Sequence, residues 1–131
     1  MSRAQLNILA VEPYFGGLRR DFLEGLCAHS RHKWTLLTLP ARNRPWRIRA
    51  SALHFAQQMR GLRRRFDLLF VTDLLNLADL LALSPPRIRQ LPAVAYFHEN
   101  SLPRLRAGIR EPGAGIMNIT TALAARQAWF N

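Results

Sequence analysis

Hydrophobic residues along this chain gather into short continuous runs, separated by stretches in which they return every three or four positions. The runs are Leu6–Val11, Lys33–Leu39, Asp67–Thr72 and Pro92–Phe97, each followed by proline or by acidic or other polar residues. Their length and bounding residues predict strands, and the third, apolar at nearly every position, predicts burial on both faces. Leu18, Phe22, Leu23, Leu26 and Cys27 recur at helical spacing, which predicts a helix over about 18–29 with Arg19, Arg20, Asp21 and Glu24 on its outer side. Ile48, Ala52, Phe55, Ala56, Met59 and Leu62 define one face of a longer helix after a basic loop, Ala41–Arg47. Leu74–Leu83 reads as a third helix, closed by Pro85-Pro86, with Asp73 placed to cap its start. Ser101–Gly115 reads as a loop, and Ile116, Ile119, Thr120, Leu123 and Ala124 as one face of a fourth helix. Ala128–Asn131 opens a fifth strand.

Strands alternating with helices predict an α/β fold: a Rossmann-like, doubly wound parallel sheet of about five strands in three α/β/α layers. The whole chain, 1–131, reads as one domain. In such sheets ligands bind outside the carboxyl ends of the strands, so the residues there are the candidates. They are Glu12 with Gly16-Gly17, then Arg42 and Arg44, then Asp73, then His98-Glu99-Asn100. His98, Glu99 and Asn100 join a proton carrier, a carboxylate and an amide within one turn, though a strand-end cap would use the same residues. The paired glycines allow close approach to an anion or simply a tight turn.

Charge changes the picture more than composition does. There are 19 basic and 8 acidic residues, a net charge of +11, and every basic residue but Lys33 is arginine. An excess of this size on a small domain favours a polyanionic partner, with nucleic acid ahead of a membrane surface. Arg42/Arg44/Arg47/Arg49 and Arg104/Arg106/Arg110 carry Trp46 or Pro103 among them and favour phosphate contact, whereas Arg63-Arg64-Arg65 reads as a solubilising face. No apolar run reaches the ~20 residues that span a bilayer, and Arg3 is not followed by a signal-peptide core. The single cysteine, Cys27, excludes an internal disulfide and a multi-cysteine metal site. Cytoplasmic residence is expected. Dinucleotide, phosphate-loop and serine-elbow motifs are absent. A phosphoacceptor receiver is excluded too, because only Glu12 follows the first strand and His98 stands where such domains carry a hydroxyl residue.

Six segments together resemble one family. Asn7–Gly17, Arg20–Leu26, Trp34–Arg42, Asp73–Leu77, Tyr96–Asn100 and Asn118–Ala125 with Trp129-Phe130-Asn131 are similar, in order and spacing, to the amino-terminal domain of tRNA-queuosine α-mannosyltransferases, also called glycosyltransferase-like domain-containing proteins. The resemblance implies half of a two-domain, retaining GT-B glycosyltransferase. Its donor would be GDP-mannose, its acceptor a queuosine-modified tRNA anticodon loop, and it would hold no tightly bound cofactor; the spacing of His29, His32, His54 and His98 separately predicts no metal site. The donor-binding carboxy-terminal domain would be missing from this stretch, so the chain alone is not expected to transfer sugar. By resemblance Gly16, Gly17 and Arg19 would meet the donor phosphates, and His98 and Glu99 would be catalytic. Glu12, Arg42, Arg44, Asp73, Asn100, Arg104 and Arg106 would face the acceptor. Leu18-Arg19 and Ser101–Leu105 depart from the family's usual residues, Ser-His and Gln-Leu-Thr-Tyr-Pro. Two alternatives remain: a non-catalytic, arginine-rich RNA-binding domain, and a GT-B half with another acceptor.

Overall fold

A computed structural model describes residues 3–99 and 112–131, the side chains of 112–114 excepted. Five strands form one parallel sheet: β1 (Asn7–Phe15), β2 (Lys33–Pro40), β3 (Leu68–Thr72), β4 (Ala93–Phe97) and β5 (Gln127–Phe130). Their spatial order is β2-β1-β3-β4-β5. The helices are α1 (Gly17–His29), α2 (Arg44–Arg60), α3 (Leu77–Leu83), the single turn α4 (Pro86–Arg89) and α5 (Pro112–Ala124). The chain reverses its direction of travel across the sheet between β1 and β3, which makes the carboxyl ends of those two strands the topological switch point.

Alternation along the strands sorts the core into two layers. Leu9, Val11, Leu69, Val71, Ala93 and Ala95 pack with Phe55 and Met59 of α2 and Leu77 and Leu80 of α3. Ile8, Ala10, Phe70 and Val94 face Leu23 of α1, with Phe22, Leu26, Trp34 and Tyr96 around them. The α/β sandwich expected from the sequence is therefore present. No helix among the described residues is long and apolar enough to cross a membrane.

Several local readings change. β1 runs four residues beyond its apolar core, so Glu12 lies inside the strand, paired with Thr38, and the register slips between Glu12 and Phe15. Pro13 sits in that slip, where its missing N–H disturbs no ladder bond. α2 begins at Arg44 with Pro45 in its first turn, so Arg44 and Arg47 are helical rather than in a loop. The cap of α3 is Asn76, whose Oδ1 accepts from the Asp79 N–H at 3.1 Å; Asp73 does not cap. α5 begins at Pro112, inside the stretch read as a loop.

Two helices depart from the face predicted for them, α1 in its first turn alone and α5 along its length. In α1, Leu18 is 85% exposed and Arg19 only 9%. Arg19 shares the inward stripe with Phe22, Leu23, Leu26 and Cys27, and two carboxylates await it there. In α5, Ile116, Ile119 and Leu123 are exposed, while Met117, Asn118 and Thr121 are buried. The polar pair turns inward because the β3–α3 turn needs hydrogen-bond partners. Thr121 Oγ1 donates to Leu75 O at 2.9 Å and accepts from the Leu77 N–H at 3.1 Å. Asn118 Nδ2 donates to Asp73 O at 3.0 Å.

A candidate functional site at the switch point

Three charged side chains meet at the carboxyl ends of β1 and β3, all nearly closed to solvent. Glu12 comes from β1, Asp73 follows β3, and Arg19 enters from the first turns of α1. Arg19 Nη2 donates to Asp73 Oδ2 at 3.0 Å, and Nη1 stands 2.8 Å from Oδ1. The same Nη1 reaches Glu12 Oε1 at 3.4 Å. A planar guanidinium matches the two oxygens of a carboxylate, so the Asp73 contact fixes the side chain's orientation as well as its charge. Thr72 Oγ1 donates to the second oxygen of Glu12. Thr72 lies on the same side of the sheet as Glu12, two residues on from Phe70.

Burial dominates the protonation of Glu12, pushing its carboxyl up to about 7 against the pull of Arg19 and the Thr72 hydrogen bond. Half the Glu12 side chains then hold a proton near neutrality. For Arg19, the two carboxylates outweigh burial and raise its pKa further, so it stays charged. The cluster thus carries one fixed cation, its paired Asp73, and one carboxyl able to exchange a proton.

His98 follows β4 directly, within electrostatic reach of Arg19 and Asp73. Its ring stands edge-on to Phe22, with centroids 4.9 Å apart, and edge-on to Tyr96 at the same distance. Burial first, then the Arg19 charge, moves its pKa below the ordinary value. A neutral imidazole results. Its Nε2 is closed to solvent and has no hydrogen-bond partner among the described residues. Aromatic packing therefore holds the ring while one ring nitrogen stays available.

Glu99 and Arg44 form a separate, outer pair, with Arg44 Nη2 donating to Glu99 Oε1 at 3.0 Å. It ties the end of β4 to the start of α2. Arg42 is exposed beside it. Arg47, grouped by sequence with the phosphate-contacting arginines, is instead buried and donates through Nε and Nη2 to Pro40 O. Asn100, Arg104 and Arg106 lie outside the described residues. Among those described, no group of histidine, cysteine and acidic side chains is arranged to hold a metal.

The paired glycines have separate structural reasons. A Cβ at Gly16 would lie 2.5 Å from the Cβ of Ala41, so the β1–α1 turn presses directly on the β2–α2 turn. Gly17 has a φ of +54°, in the left-handed region, with open space around its α-carbon.

Sequence pattern alone missed Thr72, Asn118 and Thr121. Strand alternation puts Thr72 on the Glu12 side, and the three-residue spacing of Asn118 and Thr121 puts both on one helical face. Both signals were legible but quiet beside the louder apolar stripe.

Comparison with known proteins identifies the setting. Residues 7–131 match the family described as tRNA-queuosine alpha-mannosyltransferase N-terminal. The tRNA-queuosine alpha-mannosyltransferase of Drosophila melanogaster is 36% identical over 134 aligned positions, covering 100% of this chain and 35% of that protein. The chain thus spans about a third of the length of the curated relative it matches. With the parallel sheet, the switch-point cluster and a match over nearly every residue, the chain belongs to the tRNA-queuosine alpha-mannosyltransferase amino-terminal family.

Proposed function

We propose that this chain is the acceptor-side half of a retaining GT-B mannosyltransferase, acting with a carboxy-terminal half that binds GDP-mannose. Its acceptor is queuosine in a tRNA anticodon loop, which puts the reaction in the cytoplasm. The observation that carries this reading is His98: a neutral, aromatic-packed imidazole with a buried nitrogen unpartnered among the described residues, within electrostatic reach of the switch-point cluster, in a member of this family. The free nitrogen suits a hydrogen bond with a hydroxyl of the transferring sugar. Glu12 and Asp73, held by Arg19, form a buried floor that shapes the surface on which the acceptor settles. Gly16 and Gly17 bring backbone to the donor phosphates, and the net charge of +11 draws in the tRNA backbone.

Mannosylation of queuosine tRNA by this chain joined to a family carboxy-terminal half tests the reading. Replacing His98 with Ala should lower turnover by roughly 10²-fold or more, the usual scale for a group acting directly in proton transfer or charge stabilisation. Turnover within twofold of the parent would remove His98 from the site.

One observation favours a second reading. Both switch-point carboxylates, Glu12 and Asp73, are already engaged by Arg19, as in a domain that keeps the scaffold and binds RNA without chemistry. Tight tRNA binding by the joined protein with no mannosylation would support it.

A further inference from the structure

The opposite edge of the sheet, where the strands begin, carries a second concentration of positive charge. α2 ends at Arg60, and the connection to β3 contains Arg63, Arg64 and Arg65. Arg87 in α4 reaches across to this connection, where its Nη2 donates to Met59 O at 2.9 Å and also to Leu62 O. These bonds close the carboxyl end of α2, whose free carbonyls attract a cation. They also make a wall between two hollows. One, of about 430 Å³, is lined by Arg60, Arg63 and Arg87 with Gly61 and Leu62. The other, of about 230 Å³, is lined by Arg64, Arg65 and Arg87 with Phe66, Ile88 and Gln90.

In sequence, Arg63-Arg64-Arg65 is an ordinary solvated run. Folding changes that in three ways. It adds Arg60 and Arg87 to the same surface and curves that surface around two adjoining hollows. It also leaves the arginines unpaired: among the described residues, none of the five lies within ion-pair distance of a carboxylate. Asp67, the acid in this connection, accepts from the Asn7 N–H at 2.8 Å. Arg64 Nη1 donates to the Thr35 hydroxyl at 3.3 Å. Crowding like charges in this way is unfavourable unless an anion joins them, and guanidinium groups pair with phosphate through two parallel hydrogen bonds.

We propose that these two hollows are a phosphate-binding surface for an RNA backbone, separate from the switch-point cluster. A bilayer is disfavoured as occupant, because none of the large exposed hydrophobic side chains lies among residues 60–66 or 87–90. The five-residue β3 separates the two edges by about 17 Å, so this surface holds a part of the RNA that is not being modified. The inference builds on tRNA as partner but not on any transfer chemistry.

Salt-dependent tRNA binding by the protein tests it, comparing the parent with Arg63→Gln/Arg64→Gln/Arg65→Gln. The triple variant should bind roughly tenfold more weakly at low salt. Its log–log salt slope should be shallower by about 2 to 3, since each lost phosphate contact removes about 0.7–0.9. A matching triple Lys variant should recover most of the slope, and unmodified tRNA should behave like queuosine tRNA because only the backbone is read. Equal affinity and slope for parent and Gln variant, with both folded by circular dichroism, overturns the proposal. So does loss of binding to phosphatidylserine vesicles with tRNA binding intact. Failure of mannosylation with this salt behaviour preserved would count against the proposed chemistry and leave the surface standing.

Discussion

Arg19 and Asp73, 54 positions apart in sequence, meet as a two-point ion pair at 2.8 and 3.0 Å, with both side chains almost wholly out of water. The pair joins the first turns of α1 to the end of β3 and brings Glu12 into its field. It fixes the geometry of the candidate site without touching its apolar core.

Replacing Arg19 with Leu should therefore destabilise the protein by about 3–5 kcal/mol, because two buried carboxyl groups lose their cation. Arg19→Lys keeps the charge but not the fork and should cost less. Urea denaturation at pH 7 checks both. A loss below about 1 kcal/mol for the Leu variant would show that the cluster does not hold the switch point together.

Glu12 gives a pH signature. Its carboxyl titrates near 7 in the folded protein and at its ordinary 4.5 when unfolded. Between those values the folded state holds a proton that the unfolded chain has released. Stability from this group should therefore fall as pH rises from 4.5 to 7, by at most about 3 kcal/mol. His98 acts in the opposite direction, since burial lowers its pKa and favours the folded state as pH rises. The difference between the parent and Glu12→Gln isolates the Glu12 contribution. The fall in unfolding free energy from pH 5 to pH 8 should be smaller in the Gln variant than in the parent. An unchanged fall with pH would mean that another group is responsible.

The contact between Gly16 and Ala41 is steric and should couple. Gly16→Ala places two Cβ atoms at 2.5 Å, which requires one of the two turns to move. Ala41→Gly removes the second carbon, so the double variant should recover at least about 0.5 kcal/mol relative to the sum of the single changes. Gly17→Ala meets no neighbour, but its left-handed backbone should cost about 1–2 kcal/mol, and Ala41→Gly should not rescue it. Additive behaviour of Gly16→Ala and Ala41→Gly would show that the turns do not touch.

The sequence by itself determined the framework. Short apolar runs alternating with helical periodicity specify a parallel α/β sheet, because the chain can bury such strands only between layers of helix. The segments Asn7–Gly17, Trp34–Arg42 and Tyr96–Asn100 carry the family likeness in the sequence itself. Gly16-Gly17 was also visible as a corner. Its two residues have different tasks, and only the neighbouring turn and the backbone angle distinguish them.

Tertiary structure decided which polar groups are interior. Hydrophobicity counts apolar atoms, so it put Leu18 inside and Arg19 outside, and chose Ile116, Ile119 and Leu123 for the core face of α5. The fold reversed both choices because unpaired buried groups outrank an extra apolar contact. Glu12 and Asp73 require a cation, and the backbone of residues 73–77 requires the side chains of Asn118 and Thr121. Those partners lie far away in sequence, and only the closed sheet brings them within hydrogen-bond reach.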